Sequence, residues 1–389
     1  MTRKICILTG SRADYSHLSP VIEAVNLHPG LSMQLIVTGQ HIDKKYGSTW
    51  KNIKNDGHKI TRKIDIRLNS DTPLETTQSM GRAVSLISKN LCELNPDILV
   101  LLGDRFETFS AGIAALILNI PIAHIHGGEE TVAAFDDAIR HALTKISHIH
   151  FCSAKLYANR VRQMGENPER IHLVGAPGLD QLHTINYLNS LQLSSKLKIN
   201  LKNRVFVIGY HPVTLKLNET ERSINSLINA LRGFEDTTLV FTGVNSDPGN
   251  NTISNIINEF VKLSPKNRIF INTMDKENYL SLMKISSVII GNSSAGLIEA
   301  PALGVPTVNI GDRQKGRITS SSVINCLEKE EEILKAINRA ISPNFRKKVF
   351  KSKNLKGRNA SKKIAEILAN ENISEISIKN FHDLNWGEK

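Results

Sequence analysis

The stretch Ile98-Leu99-Val100-Leu101-Leu102-Gly103-Asp104-Arg105-Phe106-Glu107 decides the fold class. Five consecutive apolar residues read as a strand covered on both faces, because a strand with one wet face would alternate apolar and polar. A glycine ends the run, and three charged residues in four follow it. In an open parallel sheet that is where ligands bind, at the carboxyl end of the strand. Packing explains such a charge cluster poorly, so Asp104, Arg105 and Glu107 are expected to line a cleft.

Outward from this stretch the same pattern recurs. Strand-like runs fall at Lys4–Thr9, Met33–Thr38, Pro121–His126, His148–Cys152 and Ile171–Val174, with helical spacing between most of them, as in Leu18–Val25 and Thr108–Leu118. A second series follows at Arg204–Tyr210, Thr238–Thr242, Arg268–Asn272, Ser287–Ile290 and Thr307–Ile310. Strands alternating with helices imply βαβ units and parallel sheets. The polar segment 177–203 separates the two series. The expected architecture is α/β: two Rossmann-like, doubly wound domains facing a cleft, one spanning 1–178 and rejoined by 370–389, the other 179–369.

The 389 residues suit two or three domains, each able to bury a core. With 40 % hydrophobic and 22 % charged residues, extensive disorder is excluded. No apolar run is long enough to span a membrane, and the apolar start (Ile5–Leu8) is too short for a secretory leader. Cys6, Cys92, Cys152 and Cys326 form no C-x-x-C pair and read as free thiols in a reducing compartment, hence a cytoplasmic protein. Lys and Arg number 49 against 37 Asp and Glu, a formal charge of +12. Much of the excess lies in Arg346, Lys347, Lys348, Lys351, Lys353, Lys356 and Arg358, where only Phe345 and Phe350 accompany it. Nucleic-acid binding would call for more interleaved aromatics, so the run reads as a solvated basic stretch.

The other strand ends carry the remaining chemistry. Thr9-Gly10-Ser11-Arg12-Ala13-Asp14-Tyr15 opens a helix, either as a phosphate-facing turn with Arg12 as contact or as a capped helix start using Ser11 or Asp14. It lacks the G-x-G-x-x-G fingerprint, which argues against a dinucleotide cofactor. His124-Ile125-His126-Gly127-Gly128-Glu129-Glu130 follows another strand. Period-2 alternation points His124 and His126 the same way, and the glycine pair lets backbone approach a ligand. Asp136 and Asp137 open the next helix. Metal-ligand spacing such as H-E-x-x-H is absent, so no metal is expected. Carboxylates sharing a cleft raise one another's pKa and divide acid and base roles, which makes Asp104, Glu129 and Asp136 acid/base candidates.

In the second series, Gly209-Tyr210-His211-Pro212 offers His211 as a ligand contact. Gly291-Asn292-Ser293-Ser294-Ala295-Gly296-Leu297-Ile298-Glu299 runs from a buried strand into small hydroxyl residues that are read as opening a helix. Ser293 and Ser294 suit a diphosphate, and Glu299 suits ribose hydroxyls. The cations Arg313 and Arg317 of Gly311-Asp312-Arg313-Gln314-Lys315-Gly316-Arg317 suit phosphate charge.

Taken together, Thr9–Tyr15, Gly103–Glu107, His124–Glu129, Asp136-Asp137-Ala138-Ile139-Arg140-His141, Gly291–Pro301 and Gly311–Arg317 resemble the UDP-N-acetylglucosamine 2-epimerases, and more closely their hydrolysing branch, which supplies sialic-acid-type sugars. The resemblance implies a GT-B-like fold and the conversion of UDP-N-acetylglucosamine and water to N-acetylmannosamine and UDP, by elimination to a 2-acetamidoglucal and hydration. It implies acid/base roles for Asp104, Glu129 and Asp136, UDP binding by Arg12, His211, Ser293, Ser294 and Glu299, no cofactor, and a dimer or tetramer. Non-hydrolysing relatives carry a Glu where His126 stands, so its role passes to Glu129 or His126. A 2,4-diacetamido-6-deoxy nucleotide sugar of the legionaminic acid route is the alternative substrate. A GT-B glycosyltransferase would share the Ser/Glu site without needing the acidic cluster.

Overall fold

The computed structural model describes residues 2–132, 134–183, 185–201, 204–243, 247–349 and 359–384. They fall into two compact units, the first drawn from Met1–Glu129, Asp136–Asp180 and Leu355–Lys389, the second from Glu130–Phe135 and Gln181–Asn354. The first holds seven parallel strands, β1 (Arg3–Thr9), β2 (Leu31–Thr38), β3 (Arg62–Ile64), β4 (Ile98–Leu102), β5 (Ile122–Ile125), β6 (Ile149–Cys152) and β7 (Ile171–Leu173), in the order 3-2-1-4-5-6-7. The second holds six, β8 (Arg204–Gly209), β9 (Thr237–Thr242), β10 (Arg268–Ile271), β11 (Val288–Gly291), β12 (Thr307–Ile310) and β13 (Val323–Cys326), in the order 10-9-8-11-12-13.

β4 is wholly buried, and its residues alternate between two cores. Ile98, Val100 and Leu102 join one with Ile5 and Ile7, while Leu99 and Leu101 join another with Cys6 and Leu8. Both faces of the sheet are therefore covered, which is why the apolar run is continuous. Strand order reverses between β1 and β4 in the first sheet and between β8 and β11 in the second. These are the switch points where the carboxyl ends of doubly wound sheets open a crevice. Gly10–Asp14 and Gly103–Glu107 follow the first pair, and Tyr210-His211 and Asn292-Ser293 follow the second.

Two strands are absent from the sequence reading. In β3 only Ile64 of three residues is buried, and β13 is a short alternating strand, so neither has an apolar run to reveal it. The assignment of residues up to 369 to the second domain also differs from the structure. The helix Ala360–Asn370 packs Ile364, Ala365 and Leu368 into the first unit's core beside Leu18, Val21, Ile22 and Val25. The Asp180 carboxylate accepts from the Ala360 and Ser361 amides at 3.1 and 2.7 Å, holding N–H groups that have no acceptor within the helix. Of the basic run, Arg346, Lys347 and Lys348 are exposed. Phe350, Lys351, Lys353, Lys356 and Arg358 lie outside the described residues, as does the tail's Trp386. Among the described residues no helix is long and apolar enough to cross a membrane.

The first unit stores an acid sensitivity. Burial lowers His41 to about 4, His124 to about 3 and His148 to about 4, from an ordinary 6.5. Hydrogen bonds to the Thr9 and Thr49 hydroxyls, the Gly103 carbonyl and the Ile122 amide satisfy the three neutral rings. The unfolded chain takes up these protons first, so stability falls as pH drops from 6.5 through 4. Glu166, buried yet held down to about 2 by His150 and Lys379, adds stability above 4.5 that is lost as pH falls toward 2. Both act in the same direction. Calorimetric unfolding at pH 5 in buffers of different ionisation enthalpy should show uptake of about three protons from these rings; no uptake would contradict the assignment.

Candidate functional site

In the first unit the charged residues after β4 divide. Asp104 keeps a side-chain exposure of 21 %, whereas Arg105 and Glu107 are 9 % and 1 % exposed and pair with each other at 3.2 Å. The expected cleft-lining trio is therefore one site residue and one internal ion pair. Glu107 is in turn packed by glycines: a Cβ on Gly10 would meet its carboxyl carbon at 3.3 Å, and one on Gly39 its Oε1 at 2.8 Å. Burial raises the Glu107 pKa, against the opposing pull of Arg105.

Asp104 is tied to Arg140, whose guanidinium also reaches the Asp137 carboxylate at 3.1 Å and the Glu129 carbonyl at 3.1 Å. Arg140 is 1 % exposed, the largest fully buried side chain among the described residues. It sits on the helix Phe135–Ile146, whose buried positions are Asp136, Arg140, Leu143 and Thr144. That i, i+4, i+7, i+8 spacing marks one inward face, and a charged pair on it was the available signal for Arg140, which sequence reasoning passed over. Asp136 occupies the same face, 6 % exposed.

His124 and His126 do not share a direction. β5 ends at Ile125, and His126 takes a left-handed φ of 68°, which breaks the alternation. His124 turns to the Gly103 carbonyl (2.7 Å) and Thr144 Oγ1 (3.2 Å), a structural role. His126 Nδ1 instead meets Glu129 Oε1 at 2.6 Å, and the same oxygen accepts from Ser153 Oγ at 3.0 Å. The glycine pair between them serves packing. A Cβ on Gly128, at φ 79°, would fall 2.3 Å from the Tyr157 carbonyl oxygen, and one on Gly127 would fall 3.0 Å from Thr144 Oγ1.

At the β1 end, Ser11 and Asp14 form a capping box on the helix Arg12–Leu27. Asp14 accepts from the Gly10 amide at 2.9 Å and the Ser11 amide at 2.9 Å. The capped-helix reading of this segment therefore holds, and it places Arg12, half-buried, on the helix's first turn at the switch point.

In the second unit the organiser is Asn292, fully buried and missed by sequence reasoning. Its amide clamps His211, accepting from the backbone N–H at 2.7 Å and donating to the carbonyl at 2.8 Å. Its own carbonyl accepts from Arg313 (3.2 Å) and Gln314 (2.8 Å). A buried Asn between a strand-ending glycine and a serine was the local clue. Ser293 caps a single 3₁₀ turn, Ser294–Gly296, and the following helix is only Glu299–Leu303. The expected longer helix with its dipole is not formed. Glu299 is 7 % exposed. Arg317 donates to the Glu130 carbonyl (3.1 Å) and Thr131 Oγ1 (3.3 Å), and Arg313 lies 4.0 Å from Asp247. Among the described residues no three His, Cys, Asp or Glu side chains converge as a metal ion requires.

Comparison with known proteins identifies the family and the fold. The model of the UDP-N-acetylglucosamine 2-epimerase family matches residues 23–369. The GDP/UDP-N,N'-diacetylbacillosamine 2-epimerase (hydrolyzing) of Campylobacter jejuni is 37 % identical over 385 residues, covering 98 % of this chain and 99 % of the relative. The polysialic acid biosynthesis protein P7 of Escherichia coli is 37 % identical over 353 residues, 90 % of each chain. The crystal structure of the Neisseria meningitidis UDP-GlcNAc 2-epimerase bound to UDP-GlcNAc superposes with a TM-score of 0.78 at 19 % identity, over 95 % of this chain and 100 % of that one, a likeness of GT-B-like fold. By its sequence over nearly its whole length, the chain belongs to the UDP-N-acetylglucosamine 2-epimerase family.

Proposed function

We propose that the protein is a hydrolysing nucleotide-sugar 2-epimerase that converts UDP-N-acetylglucosamine and water to N-acetylmannosamine and UDP, for surface-sugar biosynthesis in the cytoplasm. The observation that carries the reading is the cluster of Asp104, Glu129, His126 and Asp136: Arg140 binds the Asp104 carboxylate and the Glu129 carbonyl, His126 pairs with the Glu129 side chain, and Asp136 lies on the same buried helix face as Arg140. A base removes the C-2 proton, the C-1–O bond breaks with its electron pair leaving on UDP, and a C-1=C-2 double bond forms. Water then adds its oxygen to C-1 while a proton reaches C-2 from the opposite face. The C-2 hydrogen is weakly acidic, so stabilising the leaving diphosphate is a large share of the work. Each acid or base adds roughly 10²–10⁴-fold.

In this reading the second unit holds UDP. Ser293 and Ser294 donate to the diphosphate, Glu299 accepts from ribose hydroxyls, and His211, fixed by Asn292, contacts the nucleotide. Arg12, Arg313 and Arg317 supply positive field; the last two already donate hydrogen bonds within the protein, so their contribution is charge more than direct contact. The reaction needs no cofactor or metal in this scheme, and a dimer or tetramer is the expected assembly. Four free cysteines accord with a reducing compartment.

The Campylobacter relative favours a second substrate, a UDP- or GDP-linked 2,4-diacetamido-2,4,6-trideoxyglucose. The chemistry at C-1 and C-2 is shared; the two sugars differ at C-4 and C-6. Proton NMR of the protein with each nucleotide sugar in deuterated water separates them. Release of UDP with N-acetylmannosamine deuterated at C-2 is the expected result. Turnover of the diacetamido substrate alone would move the assignment to it. Epimerisation without nucleotide release, or turnover of neither, would overturn the hydrolysing reading.

A further inference from the structure

We propose that His126 is the base that removes the C-2 proton, and that Glu129 is its positioning residue, with Ser153 holding that carboxylate in place. The inference rests on the epimerase reading and divides labour within its acid/base cluster.

Three observations meet at this residue. First, His126 Nδ1 lies 2.6 Å from Glu129 Oε1, and Ser153 Oγ lies 3.0 Å from the same oxygen. An ionised carboxylate oxygen can only accept, from the hydroxyl and from the ring alike, and so selects the imidazole tautomer with the proton on Nδ1. The lone pair is then on Nε2. Second, His126 Nε2 is buried and has no hydrogen-bond partner among the described residues. A buried acceptor without a donor is a cost that folding alone gives no reason to keep. Third, His126 is held at φ 68°, a left-handed conformation that places its side chain away from the direction the strand would have set. Strain of this kind gathers at functional sites.

Glu129 itself is badly placed to be the base. Its Oε1 is occupied by two donors, its backbone carbonyl is held by Arg140 at 3.1 Å, and its side chain is 5 % exposed. The carboxylate–imidazole pair works as one unit: Nδ1–H stays bonded to Glu129 while Nε2 takes the C-2 proton, and the imidazolium that forms is stabilised by the adjacent anion. The C–H bonding pair becomes the C-1=C-2 double bond, and the C-1–O pair leaves on the diphosphate. Hydration then draws its C-2 proton from a different group, one on the other face, which is why inversion at C-2 needs more than one acid/base residue. The charged and titratable neighbours of the ring are Glu129, His124 from β5, and His17, whose ring packs edge-to-face at 5.8 Å from the helix Arg12–Leu27.

The test compares His126→Asn, chosen because Asn tolerates a left-handed φ, with Glu129→Gln. His126→Asn should lose roughly 10²–10⁴-fold in UDP release and in C-2 deuterium exchange. Glu129→Gln should lower kcat with KM little changed, the split expected of a residue that acts through the ring. In the unmodified protein, nitrogen-15 NMR of the imidazole under assay conditions should show Nδ1 protonated and Nε2 bare, a readout independent of any variant's folding. His126→Asn turning over within ten-fold, a Glu129→Gln effect confined to KM, or a proton found on Nε2 would each overturn the proposal while leaving the epimerase reading standing. No turnover of either nucleotide sugar by the unmodified protein would bring down both.

Discussion

Arg140→Met is expected to destabilise the first unit by about 3–5 kcal/mol, because it leaves buried charge without its partner. The guanidinium bonds two carboxylates, Asp104 and Asp137, and the Glu129 carbonyl, at 1 % exposure. Methionine fills much of the volume but supplies none of the donors. Asp104 and Asp137, only 21 % and 27 % exposed, lose this cation while still largely out of water, and the Glu129 carbonyl loses this donor. For a unit of this size the loss corresponds to a melting point lower by about 10 °C. Turnover should fall by at least roughly 10²-fold, since Asp104 and the Glu129 backbone lose their common anchor. Arg140→Lys keeps the charge without the planar fork and should recover part of the stability and less of the activity. Thermal melts followed with initial-rate assays at a temperature where both variants are folded decide the matter. A melting point within 2–3 °C of the unmodified protein's would mean that the carboxylates do not depend on this cation.

Gly291→Ala should be more damaging still, and for a geometric reason. Gly291 ends β11 at φ 132° and lies in register with Gly209 of β8. A Cβ there would sit 2.0 Å from the Gly209 carbonyl oxygen and 2.7 Å from its carbonyl carbon. Those are backbone atoms of a paired strand, so no rotamer relieves the clash. The strands must separate at the switch point that carries His211, Asn292 and Ser293. Both the forbidden φ and the collision act, and a cost above about 4 kcal/mol is expected. The second unit should lose its cooperative unfolding transition, and UDP binding by calorimetry should vanish with it. Gly233→Ala, where nothing lies within 4 Å of the added carbon, is the matched control and should change stability by less than about 0.5 kcal/mol. Gly291→Ala folding with near-normal UDP affinity would show that β8 and β11 can part without consequence.

Of the residues chosen from the sequence for their position after a strand end, Arg12, Asp104, His211 and Ser293 follow strands that border the two switch points. What the sequence reading got wrong is equally specific. Arg105 and Glu107 proved an internal pair, Gly127 and Gly128 proved packing glycines, and the residues after Ser293 formed a 3₁₀ turn where a longer helix was expected. The first two share a source: a charged residue or a glycine beside a strand end has the same local pattern whether its partner is a ligand or another part of the chain.

That difference separates what sequence and tertiary structure each determine here. Strand burial, helix phase and strand ends are written in local periodicity, because a side chain's exposure follows from its position in a regular element. The sequence by itself therefore determined two series of parallel strands, the edges on which chemistry would sit and, through six ordered motifs, the family. Partnership is not local. Asp104 meets Arg140 across 36 positions, His124 meets the Gly103 carbonyl across 21, and Asp180 receives the amides of Ala360 and Ser361 across 180 and 181. Only the tertiary structure decided these pairings, because hydrogen bonds and ion pairs act over a few ångströms of space, whatever the length of chain between their ends.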